Sequence, residues 1–208
     1  YKYKKGIITE SDWNTTSSAA HQPYFFSKTI AEKKAWGIAK SQSQWDMISV
    51  NPSLVLGPGI SPYGTSESFR FMKKFADGSY RTGVPNFNLG VVDVRDVARA
   101  HIAAAFKPSA KGRYLIVGHN TSLMEIAEVL RRLYGDAYPF PKRILPKALA
   151  WLFGPAVDNT LSRKIVSRNV GYPCSADNRK SRMDLKLNYH PLEDTLSAFF
   201  DQIMQALP

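Results

Sequence analysis

The chain has 208 residues, enough for one domain or a large part of one, and its 44% hydrophobic and 12% aromatic content excludes a disordered or fibrous protein. No apolar stretch approaches the roughly 20 residues of a membrane-spanning helix, and the N-terminus has no signal-peptide core, so we expect no membrane span. A single cysteine excludes an internal disulfide and a CxxC motif, which favours a reducing, cytoplasmic location.

The charge is strongly basic, with 28 Lys and Arg against 17 Asp and Glu, a net charge of +11. Such a balance raises the question of an acidic partner such as nucleic acid or a membrane surface. The basic residues are spread along the chain in groups of at most three, with no basic stripe interleaved with aromatic residues. We therefore expect neither a nucleic-acid nor a membrane partner; an acidic partner segment outside this sequence is a further explanation of the charge.

The first elements of the chain are a helix, a strand and a loop. Apolar residues three and four apart predict a helix from Gln22 to about Ser43, with Pro23 in its first turn. The short apolar run Met47–Val50 predicts a buried strand that stops at Asn51-Pro52. Two glycines and two prolines within Leu54–Pro62 predict a loop with special backbone angles.

Further strands and helices alternate along the rest of the chain, which implies a parallel sheet with helices packed on it. Strands are predicted at Phe87–Val92 and Gly112–Gly118, and helices at 66–76, at 93–106 with Asp93 as N-cap, from a capping box at Ser122–Glu125 to Gly135, and at Leu192–Leu207.

The segment 137–178 interrupts this alternation. It is richer in proline and irregular, with short helices predicted at Lys147–Phe153 and Thr160–Val170. Insertions of this kind between regular units often shape a ligand pocket.

Tyr24 and Lys28 carry the clearest chemical signal in the chain. Positions i and i+4 of a helix lie on one face, so the phenol and the ammonium are close in space. An ammonium near a phenol stabilises the phenolate, and Tyr24 could then pass a proton to the oxygen of a carbonyl that is being reduced. The spacing alone is common, and a solvent-facing tyrosine beside a solvated lysine is the other interpretation.

Motifs around this pair resemble a known family. The segments Thr9–Trp13, Tyr24–Trp36, Asn51–Gly59 and Val91–His101 occur in the order found in the extended short-chain dehydrogenase/reductase superfamily, and so do Ala176–Lys180 and Pro191–Leu196. Within that superfamily the chain is most similar to the dihydroflavonol 4-reductase-like group, of the NAD-dependent epimerase/dehydratase type.

The resemblance implies an α/β fold with a Rossmann-like parallel sheet, of which this chain holds only the C-terminal strands and helices, and a smaller mixed substrate-binding region. The implied division places the end of the cofactor domain at 1–56, the substrate-binding region at 57–86 and 118–175, and returning strand and helix segments at 87–117 and 176–208.

The resemblance also implies a function, the reduction of a ketone or aldehyde by NADP(H), with NAD(H) as a possible substitute. Tyr24 is then the proton donor, and Lys28 stabilises it and binds the cofactor ribose. The cofactor's nicotinamide half lies against Pro52, Ser53, Leu54 and Val55, where the strand ends. A strand-ending turn that touches no ligand is the alternative for these four residues.

The chain departs from that family in one respect, because it contains no GxGxxG or GxxGxxG phosphate loop. The substrate-binding Ser or Thr of the family also belongs to an N-terminal part that precedes residue 1. We therefore expect a fragment of a longer enzyme, one that self-associates or retains a missing N-terminal segment and binds NADP(H) weakly alone.

Three other functions stay open at this stage. A 3β-hydroxysteroid-type dehydrogenase and a nucleotide-sugar epimerase use the same fold, and a non-catalytic module that binds dinucleotide or a partner would not need the missing loop. Other candidates are weaker: Asp93 and Asp96 read as capping residues, the four histidines have no metal-ligand spacing, and Cys174 has no activating partner.

Overall fold

The structure is a computed structural model that describes residues 6–61, 63–157 and 161–206. Helices and strands alternate along it, as the sequence predicts. The strands are β1 (Ile7–Ile8), β2 (Ile48–Pro52), β3 (Leu54–Leu56), β4 (Val84–Pro85), β5 (Asn88–Asp93), β6 (Gly112–Ile116), β7 (His119–Ser122), β8 (Ile144–Leu145) and β9 (Ser175–Ala176). The helices are α1 (Pro23–Lys40), α2 (Glu67–Ala76), α3 (Val94–Phe106), α4 (Leu123–Tyr134), α5 (Lys147–Val157), α6 (Arg163–Asn169), α7 (Arg179–Asp184) and α8 (Leu192–Ala206).

Most strand pairs are parallel, in agreement with the predicted α/β class. The strand β2 pairs with β6 so that Ile48 faces Gly112 and Pro52 faces Ile116. The strand β3 pairs with β5, and the short pairs β1 with β9 and β4 with β8 are parallel too. Parallel strands bring their carboxyl ends to one edge, which is where open α/β sheets bind ligands.

One antiparallel pair lies in the region predicted to be mixed, and its strand β7 was not among the predicted elements. The strand β7 runs antiparallel to β5, with Asn88 opposite Ser122. The chain turns back within Val117 and Gly118, and the amide of Gly118 donates to the carbonyl of Val91. The strand β7 therefore follows β6 after two residues but pairs with β5, on the far side of α3 in the sequence.

One correction concerns the segment after Pro52. The predicted loop begins with a strand, because Leu54, Val55 and Leu56 are apolar, strand-forming residues that pair with β5. The loop starts only at Gly57, whose φ of 117° is open to glycine and strained for other residues. The short strands β1, β4, β8 and β9 and the helix α7 also lie outside the elements that the sequence predicted.

The main core lies between α2, α4 and α8. Met72, Ile126 and Phe200 are fully buried there, and the rings of Phe69 and Phe199 meet edge to face at 4.8 Å between centroids. The helix α8 thus packs against elements of the predicted substrate-binding region, whose boundaries remain a prediction. A second core joins Tyr114 and Ile116 of β6 to α3.

Two buried carboxylates fix the position of α3. Asp93 caps the helix by accepting from the backbone amide of Arg95 at 2.8 Å, and it also accepts from the hydroxyl of Thr195 on α8. Asp96 accepts from the backbone amide of His190 at 2.8 Å and pairs with Arg99. Asp93 is thus confirmed as the cap of α3, whereas Asp96 lies in the first turn of the helix and does not cap it.

Within the described ranges, every helix is too short or too polar to cross a bilayer.

Candidate functional site

Tyr24 and Lys28 lie together on the first two turns of α1. The Lys28 ammonium is 5.5 Å from the centroid of the Tyr24 ring. Tyr24 is 65% exposed, and within the described residues neither its hydroxyl nor the ammonium has a hydrogen-bond partner. The ring stands edge to face against Phe25 at 5.6 Å. Both polar groups are therefore free to meet a ligand from the same side.

The start of α1 is set by the backbone just before it. Gln22 adopts a left-handed conformation with φ 54°, and Pro23 occupies the first turn, where its missing amide costs nothing. Immediately before them, Ser18 and His21 exchange two backbone hydrogen bonds of 2.8 and 3.0 Å. This turn determines where the first helical residue falls and so where Tyr24 projects.

The helix α1 has no fully buried residue, and polar contacts help to attach it to the sheet. Glu32 accepts from Arg113 Nε of β6 at 2.8 Å and from Asn51 Nδ2 of β2 at 3.0 Å. It also accepts from the indole of Trp36 at 3.3 Å. One carboxylate therefore links α1 to two neighbouring strands, two turns beyond Tyr24.

The electrostatics favour a charged Glu32. Burial by itself raises the pKa of this carboxyl, but hydrogen bonds from Arg113, Ser49 and Trp36, together with the positive charge of Arg113, outweigh burial and hold the pKa below its ordinary value. The carboxylate of Glu32 is therefore ionised at neutral pH.

The motif Thr9–Trp13 contacts Arg113, the same arginine that pairs with Glu32. Arg113 donates to the carbonyls of Glu10 and Asp12 at 2.5 and 2.9 Å, and its guanidinium lies 4.0 Å from the ring centroid of Trp13. The carboxylate of Asp12 accepts from both the amide and the hydroxyl of Thr9 at 2.8 Å. The motif is visible in the sequence, but no local spacing connects Arg113 to Glu32, so the contact between them appears only in the structure.

Pro52, Ser53, Leu54 and Val55 span the carboxyl end of β2 and the start of β3. The amide of Ser53 donates to the carbonyl of Ile116 at 3.1 Å, which extends the β2–β6 ladder by one bond. Leu54 and Val55 pair with Val91 and Val92 of β5. Pro52 and Ser53 thus lie at the carboxyl end of β2, whereas Leu54 and Val55 open β3, and α1 reaches β2 through Asn51.

Close packing beside Ser53 requires a glycine at position 90. A Cβ atom at Gly90 would lie 3.0 Å from Cβ of Ser53 and 3.1 Å from a methyl group of Val117. Those contacts are tighter than ordinary packing allows. Gly90 therefore permits β5 to approach the turn that holds the predicted nicotinamide contacts.

The remaining histidines make structural contacts. His119 donates through Nε2 to the carbonyl of His190 at 2.8 Å, and His101 donates through Nδ1 to the carbonyl of Val97. A shallow groove of about 530 Å³ lies farther along α1 and includes none of the predicted site residues; it is lined by Ile30, Lys33, Lys34, Gly37, Ile38 and Ser41. In residues 6–61, 63–157 and 161–206, no three His, Cys, Asp or Glu side chains are grouped to hold a metal ion.

Comparison with known proteins gives a consistent answer. Residues 2–118 match the model of a family described as the NAD dependent epimerase/dehydratase family. Cinnamoyl-CoA reductase 1 of Arabidopsis thaliana is 34% identical over 141 residues, which are 67% of this chain and 40% of that protein. An anthocyanidin reductase of Vitis vinifera is 32% identical and matches 62% of this chain and 41% of its own length.

Solved structures share the fold. Gre2 of Candida albicans in complex with NADPH superposes with a TM-score of 0.73 at 27% identity, over 97% of this chain and 58% of that one. Vestitone reductase from alfalfa, at 20% identity and a TM-score of 0.70, shows the same fold over 97% of this chain. The chain spans about 40% of the length of the curated relatives it matches.

Proposed function

The chain belongs to the NAD-dependent epimerase/dehydratase family, and on that premise we propose that the protein is an NADP(H)-dependent reductase of a small ketone or aldehyde. The observation that carries the proposal is the pairing of an exposed, unpartnered Tyr24 with Lys28 on one face of α1. The likeness to a Gre2 crystallised with NADPH supports the choice of NADP(H). Reductases among the curated relatives support a carbonyl substrate.

The residues present fit the nicotinamide half of such a cofactor. The Tyr24 hydroxyl and the Lys28 ammonium, which have no hydrogen-bond partner among the described residues, offer hydrogen bonds to a ribose. Pro52 and Ser53 lie at the carboxyl end of the parallel pair β2–β6, the usual ligand crevice of this architecture, and Leu54 and Val55 follow directly. In the proposal, Tyr24 and Lys28 are the catalytic residues, and they bind the cofactor together with Pro52, Ser53, Leu54 and Val55.

The chemistry divides between cofactor and protein. The reduced nicotinamide, when bound, supplies a hydride to the carbonyl carbon. Tyr24 donates the proton of its hydroxyl to the carbonyl oxygen, so that an alcohol forms and the phenolate takes a proton back from water. Lys28 stabilises that phenolate because its ammonium lies 5.5 Å from the ring.

Substitution of the pair tests the proposal. Tyr24→Phe keeps the ring and removes the proton, so kcat for NADPH oxidation with an aldehyde and ketone panel should fall by about 10²–10⁴. Lys28→Ala should weaken NADPH binding as well as turnover. Tyr172→Phe is the matched control, because Tyr172 also has a lysine against its ring, with Lys147 Nζ at 4.4 Å, but lies outside α1.

Two results would contradict the assignment. Wild-type turnover in Tyr24→Phe would return Tyr24 to a solvent-facing structural role. Tight NADPH binding without turnover of any carbonyl compound would favour the alternative function, a non-catalytic module that binds the dinucleotide. These measurements should be made on the protein as its gene encodes it, because this chain covers only part of the length of its relatives.

A further inference from the structure

The helix α5 presents an apolar surface to solvent that the proposed reductase site does not explain. The sequence from Ala148 to Val157 contains no polar or charged residue. A helix that is apolar on all sides is normally buried. In this fold, however, α5 lies on the surface.

Only a narrow side of α5 faces the protein. Ala150 and Gly154, four residues apart, pack toward Val166 of α6 and Leu161. The opposite side carries Leu149, Leu152 and Phe153, which are 45%, 50% and 56% exposed.

Trp151 of the same helix is 41% exposed. Contiguous exposed apolar side chains of this size mark interaction sites on monomers.

The segment that contains this apolar surface is rich in basic residues. Between residues 137 and 176 the sequence has six basic residues and one acidic residue, Asp158, and of the six basic residues Lys142 is paired with Asp136 at 2.8 Å. The six basic side chains are all exposed; they belong to Lys142, Arg143, Lys147, Arg163, Lys164 and Arg168.

The fold brings together positive charges that are dispersed in the sequence. The helix α6 packs against α5, with Lys147 Nζ donating to the carbonyl of Ser167 at 3.0 Å. The guanidinium of Arg163 lies 4.7 Å from the ring centroid of Trp151. Within the described part of the chain, Lys164 and Arg168 have no acidic partner.

We propose that α5 with its basic rim is a docking surface for an anionic lipid membrane, on which the helix lies in the plane of the headgroups. Leu149, Leu152 and Phe153 enter the boundary of the acyl chains, and the lysines and arginines meet lipid phosphates and carboxylates. This peripheral mode needs no spanning helix. The expectation of no membrane partner came from the order of charges along the chain and not from their placement in the fold.

The combination of charge and apolar surface selects this partner. A second copy would place one basic rim against another, and the like charges would repel. Nucleic acid is bound through phosphate contacts, hydrogen bonds and stacking, for which the aliphatic centre of the surface offers nothing. An anionic leaflet satisfies both parts of the surface at once.

The test is flotation of the protein, as its gene encodes it, with phosphatidylcholine vesicles that contain or lack a quarter of phosphatidylserine. We expect binding to the anionic vesicles, weakened by salt. The exposed double variant Leu152→Ser/Phe153→Ser should weaken it at least tenfold. Lys164→Ala/Arg168→Ala should weaken it by roughly fivefold per charge removed.

Matched controls come from other surfaces of the chain. Phe106→Ser, at a side chain 82% exposed on α3, and Lys34→Ala/Lys40→Ala on α1 should leave binding unchanged. Circular dichroism verifies that each variant folds.

Failure to bind anionic vesicles at low salt overturns the proposal, and so does equal loss in the control variants. Dimerisation that is abolished by the α5 variant, without vesicle binding, would assign the surface to a second copy instead.

Discussion

Removing the charge of Glu32 should loosen α1 and with it the candidate site. In Glu32→Gln, two charge-assisted hydrogen bonds from Arg113, at 2.8 and 3.2 Å, lose their ionic partner, and an amide group faces a guanidinium. Hydrogen bonds to charged groups contribute about 1.5–3 kcal/mol, and breaking a fully buried pair costs about 3–5 kcal/mol. Because the two side chains are 15% and 14% exposed, we expect a loss of about 2–3 kcal/mol.

The assay is urea unfolding, monitored by circular dichroism, of wild type and variant. Glu193→Gln serves as the matched control, since Glu193 pairs with Arg132 at the same distance of 2.8 Å, but the two side chains are 47% and 62% exposed. Exposed pairs contribute about 0–1 kcal/mol, so the control should lose far less stability. A double-mutant cycle of Glu32→Gln with Arg113→Gln should give a coupling energy of about 1–2 kcal/mol.

The result also bears on catalysis, because Tyr24 is on the helix that Glu32 holds. If the network fixes α1, kcat for carbonyl reduction should fall in Glu32→Gln without loss of the proton donor itself. Equal stability losses in Glu32→Gln and Glu193→Gln would refute the reasoning, and α1 would then be held by its half-buried apolar side chains alone.

Three further predictions concern packing and pH. Gly90→Ala should lower the free energy of unfolding by about 1–3 kcal/mol through its contact with Ser53, whereas Gly37→Ala, with open space around its Cβ, should raise it by about 0.5–1 kcal/mol; urea midpoints compare them. Phe200→Ala, in a ring cluster of the main core, should cost about 3–5 kcal/mol in the same assay. Burial raises the pKa of Asp93, but its hydrogen bonds and the charge of Arg95 lower the pKa more. The stability that ionised Asp93 adds to the fold is therefore complete above its ordinary pKa of 3.8 and is lost as the pH falls through the lower pKa of the folded state. Acid titration of stability should show this loss, and Asp93→Asn should remove it.

The sequence predicts well where local pattern and packing agree. Helix α4 begins at Ser122, whose hydroxyl accepts from the amide of Glu125 at 3.2 Å, and ends before Gly135, as its capping residues predict. Asp93 caps α3 in the same way. In these elements the signals for start, stop and buried face come from neighbouring residues, so a single sequence contains all the information.

The periodicity of α1 was less reliable. Its apolar pattern included Ile30 and Ile38, yet these side chains are 42% and 60% exposed, and the face toward the sheet is centred on Glu32. A helix pattern assumes that apolar residues point inward. Phe26, Ala35 and Ala39 do lie on the half-buried side, so the pattern locates the helix, but it does not identify the charged Glu32 that makes the tertiary contact.

Short strands were missed for a related reason. The strand β3 has three residues and β7 has four, and β7 contains polar residues such as Asn120 and Thr121. Strands this short are defined by their partner on β5 and have little periodicity of their own. The antiparallel turn at Gly118 likewise depends on the amide reaching Val91, a contact between residues 27 positions apart.

The candidate site has one feature that local sequence determines and one that depends on tertiary contacts. The pairing of Tyr24 and Lys28 is local, and a helix is enough to create it. Its relation to the sheet edge depends on Glu32, which joins α1 to Asn51, one residue before the Pro52–Val55 segment, and to Arg113 on the next strand. Because Arg113 also holds the backbone of Glu10 and Asp12, four separate stretches of sequence come together to position the helix that carries the proposed site. Without that network, the same tyrosine and lysine spacing would not fix the position of the pair relative to the sheet.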